Sequence, residues 1–311
     1  MPKKQKYIDT SDAISDYGRA KTYWQNRSTE TRKTKASGSQ EYSPDINLVQ
    51  LCKKYQFRGV EFGNWVPYTE RVDYVNAFAE CCKTLSKIMH TDNLGMFDRL
   101  GIAFGARGKS SALAHYEPDT NMINLTRKKG DQSLAHEYGH ALDYIIGGYA
   151  DRNSQYRALS GGGATLNLMN NTGGKIRTAA NAIVSYIRTT ESFKRLVDFF
   201  KKRKKYESLN YYSQATEIFA RWFEEYCCVV NERANKPNLF LTKPENYYMP
   251  TGGVDMRYLT AKEMQPTMAL GGLLCKWIGE GLSKNQFSTS LSAADKKAIA
   301  VFETKYIKNQ K

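Results

Sequence analysis

Ser133-Leu-Ala-His-Glu-Tyr-Gly-His-Ala-Leu-Asp143 is the stretch on which the fold turns. Apolar residues recur at helical spacing from 133 to 149, and the short apolar run Met122–Leu125 precedes them, so a strand leads into a helix with Asp131 or Ser133 as its N-cap. His136 and His140 are four positions apart. On an α-helix such positions lie about 40° apart around the axis, so both imidazoles project from one face and can grip a single zinc ion. Glu137 sits beside them, where its carboxylate can take a proton from a water on that ion, the task of a general base. Two of the four histidines of the chain fall in this one motif, which argues against an incidental pair.

A zinc site of this kind needs a third protein ligand and leaves the fourth position open. No histidine follows at the spacing HExxHxxGxxH, and the remaining two, His90 and His115, lie upstream. The third ligand is therefore expected to be a carboxylate. Asp143 is one turn beyond His140 on the same helix. Glu217 belongs to a separate helical block and is flanked by Ile218, Phe219, Trp222 and Phe223, where a carboxylate is costly unless a cation satisfies it. Glu217 is the preferred ligand, and Asp143 is read as a carboxylate behind a ligand histidine or on the surface.

Working outward, residues 68–89 carry an amphipathic helical stripe, and Leu100–Phe104 and Met122–Leu125 read as strands around a turn at Glu117, Pro118 and Asp119. The glycine-rich stretch 160–174 reads as a loop and 176–206 as one long helical region with a basic end. Further helical patterns cover 213–230, 268–282 and 293–306. Gly105-Ala-Arg-Gly-Lys-Ser110 superficially resembles a phosphate loop. The required first glycine would fall at Ala103, so the stretch is a turn.

The whole chain has 311 residues, 41% hydrophobic and 12% aromatic, enough for a core of ordinary size. No run approaches the roughly 18 apolar residues of a membrane span, and the polar start Met1-Pro-Lys-Lys-Gln-Lys6 has no apolar segment of a signal peptide behind it. No membrane partner is expected. Six cysteines, four of them in the adjacent pairs Cys81/Cys82 and Cys227/Cys228, show no CxxC spacing and read as reduced thiols. Forty-six Lys and Arg against 31 Asp and Glu leave a charge of +15, which attracts polyanions. The cations concentrate in an arm at residues 1–44 and in the run Lys194 to Lys205, so non-specific nucleic acid is a candidate partner.

Several segments together resemble a known family. Phe57-Arg-Gly-Val-Glu-Phe-Gly-Asn-Trp-Val66, Leu100-Gly-Ile-Ala-Phe-Gly-Ala-Arg-Gly108, Ala114-His-Tyr-Glu-Pro118, Ile123-Asn-Leu-Thr-Arg127, the stretch 133–143 and Glu217-Ile-Phe-Ala-Arg221 resemble, in this order, the first large polyvalent protein-associated domain. This is a zincin-like metallopeptidase family of phage and mobile-element proteins, and the resemblance covers about residues 55–230. It implies an α+β zincin-like fold with a small sheet, an HExxH helix and a helical C-terminal part. It also implies a gluzincin-type assignment in which His136, His140 and Glu217 hold Zn²⁺, Glu137 is the base, and the substrate is a protein or peptide. In zincins a His or Tyr donates a hydrogen bond to the developing oxyanion; His115 and Tyr212 are the candidates, with Tyr116 and Tyr211 their neighbours. The implied setting is the host bacterial cytoplasm or the phage virion, with other virion proteins as partners. The expected organisation is a basic arm (1–44), the zincin-like domain (45–243) and a helical extension packed on it (244–311). The rival expectation is a non-catalytic phage protein that binds nucleic acid through its basic surface.

Overall fold

A computed structural model describes residues 47–63, 66, 68–106, 114–126, 132–150, 158–161, 174–243, 257–287 and 290–308. The basic arm, most of the glycine-rich stretch and part of the turn at 105–110 lie outside these residues, and so do the expectations about them.

The chain begins with α1 (Leu48–Tyr55), whose first turn is capped by Asn47: its side-chain oxygen accepts from the backbone N–H of Val49 and Gln50 at 2.9 and 3.2 Å. Strand β1 (Gly59–Phe62) follows, and then α2 (Tyr68–Met89), where the apolar stripe anticipated from spacing buries Phe78, Cys82, Leu85 and Met89. Three further strands, β2 (Gly101–Phe104), β3 (Ala114–Glu117) and β4 (Met122–Leu125), complete a four-stranded sheet of order β1-β2-β4-β3. β1, β2 and β4 run parallel and β3 pairs antiparallel with β4 as an edge. β2 and β4 are buried throughout, as expected of strands covered on both faces.

α3 (Leu134–Ala141) carries the two histidines. It passes without a break into a π-helical turn, Leu142–Ile146, and a last helical turn, α4 (Gly147–Ala150). Ser133 precedes α3 but makes no side-chain cap. Instead the carbonyl oxygens of Phe240 and Leu241 accept from the N–H of Gln132 and Ala135, both at 2.9 Å, so a distant segment closes the helix start.

The helical region expected over 176–206 is not continuous. It divides into α5 (Gly174–Ile187) and α6 (Glu191–Lys202), and α7 (Tyr206–Tyr212) follows. Thr190 causes the first break: its backbone is extended and its hydroxyl accepts from Phe193 N–H at 3.3 Å, which starts a new helix. Lys204, in the left-handed region at φ 53°, makes the second. α8 (Ala215–Arg233), α9 (Ala261–Met264), α10 (Thr267–Lys284) and α11 (Ala293–Tyr306) complete the described elements. The result is a mixed α+β architecture, mostly helical with one small sheet.

One apolar core joins all of this. Leu270, Leu274, Ile278 and Leu282 of α10 enter the same cluster as the sheet, α2, α5 and α8. Cys81, Cys82, Cys227, Cys228 and Cys275 are buried free thiols, and burial pushes the Cys81, Cys82, Cys227 and Cys275 pKa values up, so these groups stay protonated and weakly reactive. Among the described residues no helix is long and apolar enough to cross a membrane.

Candidate metal centre

α3 and α8 pack directly against each other, and Gly139 sets how closely. A Cβ at this position would lie 2.9 Å from Ala220 Cα and 3.3 Å from both Ala220 O and Phe223 Cβ, so only glycine lets the two backbones approach this far. Glu217, in the first turn of α8, is thereby placed opposite the histidines of α3.

His136 Nε2 lies 3.6 Å from Glu217 Oε1, and His140 Nε2 lies 3.4 Å from Glu217 Oε2. The rings stand nearly perpendicular, at 83°, with centroids 4.9 Å apart. One donor atom from each of the three residues falls within 4.8 Å of the others. Among the described residues this is the one His, Cys, Asp or Glu cluster close enough to share an ion. Glu217 Oε2 is buried and, apart from the 3.4 Å approach of His140 Nε2, is left without a hydrogen-bond donor, so it retains capacity for a cation. Two nitrogens and one carboxylate oxygen in such proximity fit a small divalent cation.

The electrostatics point the same way. Burial opposes charge on His136, yet the facing Glu217 and Glu224 outweigh it and raise its pKa to about 10. Burial would raise Glu217, but His136, His140 and Arg221 hold it well below the usual carboxylate range. Arg221 Nη1 lies 3.6 Å from Glu217 Oε1 one turn along α8.

Glu137 is buried beside the ligand group, and burial raises its carboxyl pKa against the lowering pull of His136 and His140. A carboxylate shifted in that direction suits a proton acceptor working near neutrality.

Behind His136 stands a group that spacing did not reveal. Its other ring nitrogen, Nδ1, lies 3.4 Å from Glu224 Oε2. Glu224 is fully buried; Lys243 Nζ donates to its Oε1 at 2.8 Å and the Tyr258 hydroxyl donates to its Oε2 at 3.1 Å. Burial would raise Glu224, but the His136 contact and Lys243 bring it down to about 2. Lys243 arrives on the segment that closes the start of α3. That segment is fixed in turn by Asn238, whose side-chain oxygen accepts from Phe240 and Leu241 N–H at 3.3 and 3.1 Å.

Asp143 does not join the ligand group. It is buried and binds the neighbouring chain instead: Ser160 N–H and Oγ donate to its two oxygens at 2.7 and 2.6 Å. The surface location considered for it is therefore replaced by a structural anchor. Burial pushes its pKa up to about 6 against the Ser160 bonds.

His115 sits on the edge strand β3 with its Nε2 3.3 Å from Glu117 Oε1. Tyr212 stacks its ring on Phe200 at 5.4 Å, and its backbone oxygen accepts from Arg221 Nη2 at 2.6 Å. The phenol that reaches Glu217 belongs to Tyr211, whose pKa is raised first by burial and then by the Glu217 charge and their hydrogen bond. Comparison with protein-family models, with curated proteins and with solved structures found no match for this chain.

Proposed function

We propose that this protein is a zinc-dependent metallopeptidase. The observation that supports the reading is the convergence of His136 Nε2, His140 Nε2 and Glu217 on one point, with the buried carboxylate of Glu137 on the same helix. These three residues would hold the ion. Zinc at this position would supply Lewis-acid polarisation of the scissile carbonyl and lower the pKa of the attacking water.

The remaining work belongs to side chains of the protein. Glu137 takes the proton from the attacking water and returns it to the leaving amine. Tyr211, a half-exposed residue, would turn its hydroxyl from Glu217 to donate to the carbonyl oxygen as it gains charge. Glu224, held by Lys243 and Tyr258, fixes the ring orientation of His136. The resemblance of residues 55–230 to the polyvalent protein-associated family supports the same reading and adds a phage or mobile-element setting.

Turnover of a denatured-protein substrate tests this directly. Wild-type protein should cleave it, chelation should stop cleavage, and Glu137→Gln should retain zinc while losing hydrolysis. Full turnover in the Glu137→Gln variant would refute the assignment.

A further inference from the structure

Five consecutive cations, Lys201 and Lys202 in the last turn of α6 and Arg203, Lys204 and Lys205 just after it, are all exposed. Among the described residues none of them has an ion-pair partner, whereas Lys194 earlier on the same helix pairs with Glu191 at 2.7 Å. Arg203 rests over the Phe199 ring at 3.7 Å. Lys204 occupies a left-handed position at φ 53° in the turn closed by Lys204 N–H to Lys201 O and Lys205 N–H to Phe200 O. Glycine is the residue that relieves strain there. A lysine in its place keeps a charge at the expense of stability.

A chain of partly buried contacts links the foot of this ridge to the metal centre. Phe200 stacks on Tyr212, Tyr212 O accepts from Arg221, and Arg221 pairs with Glu217. α7 runs from the ridge to Tyr211 at the rim, and the exposed rings of Tyr206 and Tyr211 mark its two ends. From Lys205 to Tyr211 is six residues of helix, about 9 Å. An extended peptide covers that distance in about three residues.

We propose that the ridge docks acidic polypeptide substrates, holding carboxylates about three residues from the bond cleaved at the metal centre. This rests on the hydrolase reading above. A nucleic acid would call for cations spread along a run of phosphates; here they form one knot at a single helix end, one short helix away from the catalytic group. That spacing suits a short block of Asp or Glu entering the cleft.

Binding and cleavage are measured separately so that the two ideas fail separately. The full chain carrying Glu137→Gln, loaded with zinc, is titrated against a labelled peptide with a block of four Glu, its Gln counterpart, and single-stranded and duplex DNA. The Glu peptide should bind about tenfold tighter than the Gln peptide. Changing Lys201, Lys202, Lys204 and Lys205 to Gln should erase that difference while cleavage of neutral peptides by the otherwise wild-type chain is unchanged. Sliding the Glu block along a cleavable peptide should give the lowest KM near a three-residue offset, with little change in kcat. Equal binding of the Glu and Gln peptides, or DNA displacing the Glu peptide from the ridge, would overturn the proposal. Ridge-dependent binding without cleavage by wild-type protein would overturn the hydrolase reading and leave the docking surface in place.

Discussion

Glu224 Oε2 lies 3.4 Å from Nδ1 of His136, on the opposite side of the ring from the Nε2 that faces Glu217 at 3.6 Å. Glu217 and Glu224 are seven residues apart on α8, two turns along one helix face. One helix therefore supplies both the carboxylate that faces the two histidines and the carboxylate behind the His136 ring. Glu224→Gln should weaken zinc binding by about 10- to 100-fold, measured by competition with a chelator, with the fold checked by circular dichroism. Unchanged affinity in a folded variant would mean that Glu224 does not set the His136 ring.

Gly139 and Gly148 make a matched pair of substitutions. Gly139→Ala drives a methyl group into Ala220 Cα of α8, and overpacking of this kind costs about 1–3 kcal/mol. It should also lower zinc affinity by separating α3 from α8. Gly148 has nothing within 4 Å of its would-be Cβ, so Gly148→Ala should be neutral or stabilise by about 0.5–1 kcal/mol. Urea titration of both variants checks the contrast. A Gly139→Ala variant as stable as wild type would show that the helix contact is looser than described.

The two adjacent tyrosines should separate kinetically. Tyr211→Phe removes the hydroxyl that reaches Glu217 and should lower kcat by about 100-fold with zinc content retained. Tyr212→Phe keeps the ring that stacks on Phe200 and should have little effect. Equal losses in the two variants would contradict the assignment of the rim hydroxyl to Tyr211.

Glu263 gives a pH signature remote from the metal. Its carboxylate accepts from Ser192 N–H and Oγ at 2.9 and 2.5 Å and from Thr260 N–H and Oγ1 at 2.9 and 2.8 Å, tying the start of α6 to α9. Burial opposes its charge, but these bonds lower its pKa below the ordinary 4.5. The stabilisation is therefore present above that ordinary value and is lost as pH falls through the lower, folded value. Thermal unfolding of wild type and Glu263→Gln should differ most at neutral pH and converge in acid. A gap that stays constant however far the pH falls below 4.5 would place the effect elsewhere.

The grouping of His136, His140 and Glu217 was legible because the two histidines share a helix turn, and because Glu217 stood out as a carboxylate among apolar neighbours. Helix boundaries with strong periodicity were legible too; α11 spans the residues read from spacing, 293–306. Glu224 was not, since a buried acid behind a ligand acquires its meaning only from the packing of α8 on α3. The choice between Tyr211 and Tyr212 was hidden for a related reason: α7 is only seven residues long, and the break at Ser213 and Gln214 sets its phase against α8. The edge strand β3 escaped notice because all four of its residues are partly exposed, without the alternation that marks a half-buried strand.

One zinc ion is expected between His136, His140 and Glu217. Anomalous scattering at the zinc edge from crystals of the full chain tests it most directly. The expected result is a single peak within about 2.0–2.2 Å of His136 Nε2, His140 Nε2 and a Glu217 oxygen, absent in crystals of Glu217→Ala and retained in those of Asp143→Ala. A peak at another site, or one that survives Glu217→Ala and vanishes with Asp143→Ala, would contradict the account.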